Sequence, residues 1–239
     1  MTAQVQELEF QAETKQLLDL MIHSLYTNKD IFLRELISNG SDALDRLRFE
    51  SLTNPELLGS ESEFEIRLDP DPEARTLTIS DNGVGMSRDE VISNIGTIAR
   101  SGTRELRERI KKGESPQALA EFIGQFGVGF YSCFMVSDKV TLVTRRAGED
   151  TATIWESTGD GRYTIGDASR DNRGTSITLH LKPVDTETGI EDYADYWVLS
   201  RIVRRYSDFV SYPIHCKEQR EEFERDEHGI AKKDAKATI

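Results

Sequence analysis

Apolar residues recur along this chain with two periods, and the change from one to the other divides it. Between 13 and 26, Leu17, Leu18, Met21, Ile22 and Leu25 share one face at helical spacing. A second helix is predicted from Asp30, placed as its N-cap. In it Phe32, Leu33, Leu36, Ile37, Gly40, Ala43, Leu44 and Leu47 fall within about 140° of arc, a core-facing stripe. The period then drops to two. Phe64, Ile66 and Leu68 alternate with Glu65 and Arg67, and Leu77 and Ile79 alternate with Thr76, Thr78 and Ser80. The spacer Asp69-Pro70-Asp71-Pro72-Glu73-Ala74-Arg75 predicts a hairpin turn, because proline presets the turn dihedral and aspartate bonds its own backbone.

From 89 to 122 the pattern becomes short helices broken by Gly96, Gly102 and Gly113. Four further strands are predicted at 140–145, 151–157, 162–165 and 175–181. In the last, Ile177, Leu179 and Leu181 face one way, and Ser176, Thr178 and His180 the other, so His180 takes a polar sheet face and no functional role. A closing helix at 193–210 carries Trp197, Val198, Ile202, Val203, Tyr206 and Phe209. Neighbouring strands with helices before and between them indicate an α+β fold. The expected form is a two-layer sandwich, a largely antiparallel mixed sheet covered on one face by helices. After Pro213 the pattern ends. Of the 20 residues from Lys217 to Lys236, 7 are acidic and 6 basic, which reads as a linker with nothing to bury. The expected division is one domain over 1–215 and a charged linker over 216–239, and hence a piece of a longer protein.

Composition narrows the partners. There are 43 Asp and Glu against 30 Lys and Arg, a net charge of −13, which discourages general nucleic-acid binding and anionic membrane surfaces. A nucleotide stays open, since phosphates are held by local backbone amides and a metal ion. Two distant cysteines imply no disulfide framework, and the four histidines lack metal-site spacing. No run approaches the ~18 apolar residues of a membrane span and no secretion signal opens the chain, so a cytoplasmic setting is expected.

Three segments carry chemistry. Glu35 and Asn39 stand one turn apart on the flank of the second helix, with Asp42 and Arg46. Glu35 suits a proton acceptor, and Asn39 offers an amide oxygen to a hard cation; by itself the flank reads more simply as a solvated polar stripe. Asp81-Asn82-Gly83-Val84-Gly85-Met86 follows a strand directly. A strand-end carboxylate at a glycine turn suits an exocyclic amine such as that of adenine, with glycines admitting the ligand to the backbone; Asp-Asn-Gly is also an ordinary turn. In Gly124-Gln125-Phe126-Gly127-Val128-Gly129-Phe130-Tyr131-Ser132, glycines precede an apolar segment able to open a helix. Successive amides there form an anion-binding concavity, with neither Walker nor Rossmann spacing; a glycine loop that merely turns fits as well. Between the last two, Asn94 to Thr103 suits a mobile lid with Arg100 near phosphate, or a plain surface helix pair. Arg173-Gly174-Thr175 opens a strand, where the threonine hydroxyl reaches a carboxylate or a base ring nitrogen, or simply follows a turn.

The order of these segments resembles the Bergerat ATP-binding fold of DNA gyrase, histidine kinases, MutL and the ninety-kilodalton heat-shock chaperones. The chaperone branch is the most similar. Glu-Leu-Ile-Ser-Asn from Glu35, Gly-Thr-Ile-Ala-Arg-Ser-Gly-Thr from Gly96 and Gly-Gln-Phe-Gly-Val-Gly-Phe-Tyr-Ser from Gly124 resemble its signatures, and the likeness runs over about residues 5–215. It implies that Glu35 orients and deprotonates the water attacking the γ-phosphate of ATP, that Asn39 ligates Mg²⁺, and that Arg34 restrains Glu35 between turnovers. It further implies that Asp81 binds the adenine amine with help from Thr175, and that Met86 and Phe130 line the nucleoside pocket. Asn94 would touch sugar or phosphate, Arg100 phosphate, and the amides around Gly127, Val128 and Gly129 the triphosphate. The resemblance also implies an ATP/ADP-binding chaperone domain that alone is monomeric and turns over very slowly. In the longer protein it implies closure of the 94–130 lid, N-terminal dimerisation with exchange of the strand near Val5–Phe10, and remodelling of unfolded client proteins. Histidine-kinase-type and gyrase- or MutL-type ATPases are the alternatives. Gly40 departs from the alanine usual in that family.

Overall fold

The computed structural model describes residues 5–10, 29–59, 63–95 and 129–218. The helix expected at 13–26, the glycine-broken stretch from 96 and the tail beyond 218 lie outside the described residues. Eight strands form one sheet: β1 (Gln6–Glu9), β2 (Ile66–Asp71), β3 (Thr76–Asp81), β4 (Ser137–Arg145), β5 (Ala152–Ser157), β6 (Arg162–Ala168), β7 (Gly174–Leu181) and β8 (Ile214–Cys216). Their order is β1-β6-β5-β4-β7-β3-β2-β8, and all pairs are antiparallel except β2 with β8. The helices are α1 (Ile31–Ser51), α2 (Arg88–Asn94) and α3 (Tyr196–Tyr206), with 3-10 turns at Pro55–Leu58 and Gly129–Met135. This is the α+β architecture that the alternating patterns predict.

Register lines the sheet with rows of like residues. Ile79, Ile177, Leu142, Trp155 and Ile165 stand opposite one another across β3, β7, β4, β5 and β6, and all are buried. One step toward the end of the sheet the row turns polar: Asp81, Thr175, Thr144 and Thr153. The opposite face carries Thr78 bonded to Thr178 (2.9 Å) and Ser80 to Ser176 (3.0 Å), a partly exposed polar surface. The stripe of α1 packs on the apolar rows, burying Phe32, Leu33, Leu36, Ile37 and Leu44, and Leu47 is buried in a second cluster with Val84 and Ala147, at about 1.5–3 kcal/mol each.

Several local expectations shift. Asp30 occupies the N-cap position of α1 with helical backbone angles, but its carboxylate makes no cap. It is buried, accepts a hydrogen bond from the Tyr193 hydroxyl (3.4 Å), and burial raises its pKa. The segment carrying Tyr193 packs over this helix end, ring against the ring of Phe32 at 5.0 Å. Pro70 and Asp71 belong to β2, so the turn contracts to 72–75. β8 pairs only with Ile66–Leu68, so a proline two residues on interrupts no ladder to it. β4 starts three residues earlier than expected and β6 runs three further. The closing helix is shorter, capped at Asp195 by bonds from the Trp197 (2.8 Å) and Val198 (3.0 Å) amides. The sheet continues through Cys216, and the Lys217 amide bonds the Leu68 carbonyl at 3.0 Å, so ordered pairing passes the boundary expected at 215.

Candidate functional site

A cavity of about 300 Å³ opens between α1 and the sheet. Its floor is the apolar row Ile79, Ile177 and Leu142, and the polar pair Asp81 and Thr175 closes one end. Asn39, Gly40 and Ala43 of α1 form one wall; Met86, Asn94 and Phe130 stand among the others. The structure therefore brings Asn39, Asp81, Met86, Asn94, Phe130 and Thr175 to one cavity. Arg34, Glu35 and Gly129 lie outside its lining, and Arg100, Gly127 and Val128 lie outside the described residues.

Asp81 ends β3. Its Oδ1 accepts the Gly83 amide at 2.9 Å. Burial pushes its carboxyl up to about 6, against the opposing pull of the Gly83 amide, the Arg170 guanidinium and the Thr175 amide. The glycines after it serve chain packing, and Gly85 also lines the cavity. A side chain on Gly83 would meet the Ala43 carbonyl carbon of α1 at 2.6 Å, and the next amide, Val84, bonds the Ala43 carbonyl at 3.0 Å. Gly85, at φ 65°, sits against the Arg145 carbonyl, and Gly174, at φ 101°, against the Asp81 carbonyl. These contacts pin the strand end that carries Asp81 between the helix and its neighbouring strands.

Glu35, expected on a polar flank, is buried, because the 3-10 helix Gly129–Met135 packs there; Asn39, Asp42 and Arg46 stay exposed. Its Oε1 accepts from Arg34 Nη2 (2.6 Å) and Nε (3.1 Å). Its Oε2 lies where a side chain on Gly129 would stand. The apolar segment after the glycines thus folds as 3-10 helix, with the Ser132 hydroxyl on the Gly129 carbonyl (2.5 Å) and Lys182 Nζ on the Phe134 carbonyl (2.8 Å).

Two features were not singled out from sequence. At the rim, Arg46 and Arg146 alternate with Glu50 and Glu90: Arg146 bonds Glu90 (2.5 Å) and Glu50 (3.1 Å), and Arg46 bonds Glu50 (2.9 Å) and Glu90 (3.3 Å). Burial acts to raise the Glu90 pKa, but the Ser87 amide and Arg146 outweigh it and hold it low. This ring ties α1, α2 and the β4–β5 turn together. The second is Thr144, which touches Thr175, Gly174 and the Met86 amide. Its signal was the cross-strand register, which places it directly opposite Thr175.

A family model described as "Histidine kinase-, DNA gyrase B-, and HSP90-like ATPase" matches residues 27–165, more than half of the chain. The chain is 56% identical over 220 residues to the chaperone protein HtpG of Mycobacterium tuberculosis, covering 92% of this chain and 34% of that protein. It is 54% identical over 224 residues to the chaperone protein HtpG of Mycolicibacterium vanbaalenii, again 92% of this chain and 34% of that one. The chain spans about a third of the length of the curated relatives it matches.

Proposed function

Since the chain belongs to the family of histidine kinase-, DNA gyrase B- and HSP90-like ATPases, we propose that its cavity binds ATP and ADP and that Glu35 drives slow hydrolysis of the γ-phosphate. The observation that carries the reading is the cavity itself: an apolar floor long enough for a base, closed by an acceptor, Asp81, and a hydroxyl, Thr175. A purine stacks over Ile79, Ile177 and Leu142, against Met86 and Phe130, and gives its amine to Asp81. Asn94 serves the sugar or phosphates. Gly129 is the described end of the glycine loop whose amides, with those of Gly127 and Val128, hold the phosphates, and Arg100 adds charge.

Among the described residues no group of three acidic, histidine or cysteine side chains could hold a metal ion. That fits Mg²⁺ arriving with the phosphates, to which Asn39 adds one hard oxygen; when bound, the ion neutralises phosphate charge. Glu35 takes the proton of the attacking water. Arg34 competes for that carboxylate and slows the step.

The relatives' name, chaperone protein HtpG, supports the wider reading. The nucleotide domain expected over 1–215 takes in Cys216 and Lys217 as well, and the rest of 216–239 serves as a charged linker in a longer cytoplasmic protein that dimerises and remodels client proteins. The chain by itself is monomeric. Neither nucleic acid nor membrane is a partner. β1, at the edge of the sheet, is the strand exchanged in the dimer.

The test is calorimetric titration of Mg-ADP and Mg-ATP into the chain and into Asp81→Asn and Glu35→Ala. Binding lost in the first variant and kept in the second, with hydrolysis lost in both, is the expected result. An unmutated chain that binds neither nucleotide ends the reading.

A further inference from the structure

Thr144 lies behind the cavity, in the third strand of the polar row that starts at Asp81 and passes through Thr175. It is fully buried and its hydroxyl has three partners: the Met86 amide (3.0 Å), the Gly174 carbonyl (3.1 Å) and the Thr175 hydroxyl (3.0 Å). A hydroxyl carries one proton and accepts two bonds. The Met86 amide can only donate and the Gly174 carbonyl can only accept, so only the bond between the two threonines is reversible.

The two directions present different surfaces to the cavity. If Thr144 donates to Gly174, Thr175 must donate to Thr144 and shows the cavity lone pairs alone. If Thr144 donates to Thr175, the Thr175 proton is left for the cavity. Donation then runs one way from the Met86 amide through both hydroxyls, each bond polarising the next, and the Gly174 carbonyl gives up its bond from Thr144. Asp81, directly opposite Thr175 on the same face, is an acceptor when ionised.

We propose that Thr144 is a positioning residue for base recognition, holding Thr175 as a donor beside the Asp81 acceptor. The pair then reads a purine edge with an amine next to a bare ring nitrogen. A 6-oxo purine presents the reverse pattern, which sets its carbonyl against the carboxylate and its ring N–H against the Thr175 proton. Unmatched buried polar groups discriminate strongly. The inference deepens the nucleotide reading above and rests on it.

The experiment is calorimetric titration of ADP and of inosine diphosphate, which differs only in carrying the oxo group. Both go into the full chain, Thr144→Val and Thr144→Ser, well above pH 6, where Asp81 is ionised. Valine keeps the shape and removes the hydroxyl; serine restores it. The unmutated chain is expected to prefer ADP. Thr144→Val should lose about tenfold in ADP affinity while inosine diphosphate changes less than about twofold, so the preference narrows. Thr144→Ser should recover it, and Thr144→Ala gives the same comparison if the valine chain does not fold. An equal loss on both ligands, as from a loosened Met86 wall, overturns the assignment, and so does an unchanged preference. A native chain that binds the two alike, or neither, overturns adenine recognition itself and this inference with it, a result distinct from a native preference that Thr144→Val leaves intact.

Discussion

The carboxylate of Glu35 rests on the bare Cα of Gly129: a methyl at 129 would overlap Glu35 Oε2, while Oε1 is held by Arg34. A glycine of the proposed phosphate loop therefore also serves as the seat of the proposed base. Gly129→Ala should push that carboxylate aside. Because the displaced atom is the end of a flexible side chain, the fold should survive. Turnover should fall by about ten- to a hundredfold, the share a positioned base supplies, while ADP affinity stays within about threefold. Single-turnover hydrolysis beside calorimetry separates the two. Unchanged turnover would mean that Glu35 works from another pose or not at all.

Arg34 grips the same carboxylate from the solvent side, with its side chain 25% exposed. A pair this accessible contributes about 0.2–1 kcal/mol, so releasing it should cost the fold little. With Arg34→Gln, Glu35 is left to the attacking water alone, and ATP turnover should rise by up to about fivefold, the upper end of the free energy of the lost pair. Steady-state phosphate release measures this. A fall in turnover would recast Arg34 as a group that assists the reaction.

What could be read along the chain was what depends on neighbours in sequence. The stripe from Phe32 to Leu47 and the alternation in Leu77–Ile79 and Ile177–Leu181 each belong to one element, and their periods are local. The cavity is a product of register. Asp81, Thr175 and Thr144 are separated by dozens of residues and meet because three strands pair in one alignment. Glu35 was assigned to a polar flank for the same reason, since its burial comes from a segment almost a hundred residues on. Asp30 failed as a side-chain cap because the loop carrying Tyr193 covers it, another contact no local pattern encodes. The roles of Gly83, Gly85 and Gly174 were legible as glycine turns, but which backbone each approaches was not.

Gly40 sits buried mid-helix in α1, and a Cβ there would meet Ile66 Cδ1 at 3.4 Å and the Asp81 Cβ at 3.5 Å, near-ordinary contact. No backbone crowds the position. Gly40→Ala should therefore gain the helix propensity that glycine forgoes, about 1 kcal/mol, and raise the melting temperature by roughly 2–4 °C. ADP affinity should hold within about threefold, since a methyl meets only side-chain atoms at the cavity wall. A lower melting point would mean that the helix already presses on Ile66 and that glycine is needed for close approach.

Asp81 joins recognition to stability through its raised pKa. Its carboxyl titrates at about 6 in the folded chain against 3.8 for a free aspartate side chain, so the native state keeps a proton that the unfolded chain has already released. The resulting stability is complete below about pH 4 and is lost as pH rises through 6. Above that, a carboxylate largely withdrawn from water and with no ligand costs the fold on the order of 2–3 kcal/mol. Asp81→Asn removes the charge, so near neutral pH the variant should melt higher than the native chain, although it no longer binds nucleotide. An amine donating to Asp81 favours the ionised form and lowers its pKa. ADP binding near pH 6 should therefore release protons, and affinity should weaken as pH falls further. Titrations in buffers of different ionisation enthalpy count those protons. Binding enthalpies that do not depend on the buffer near pH 6 would place the base amine on some group other than Asp81.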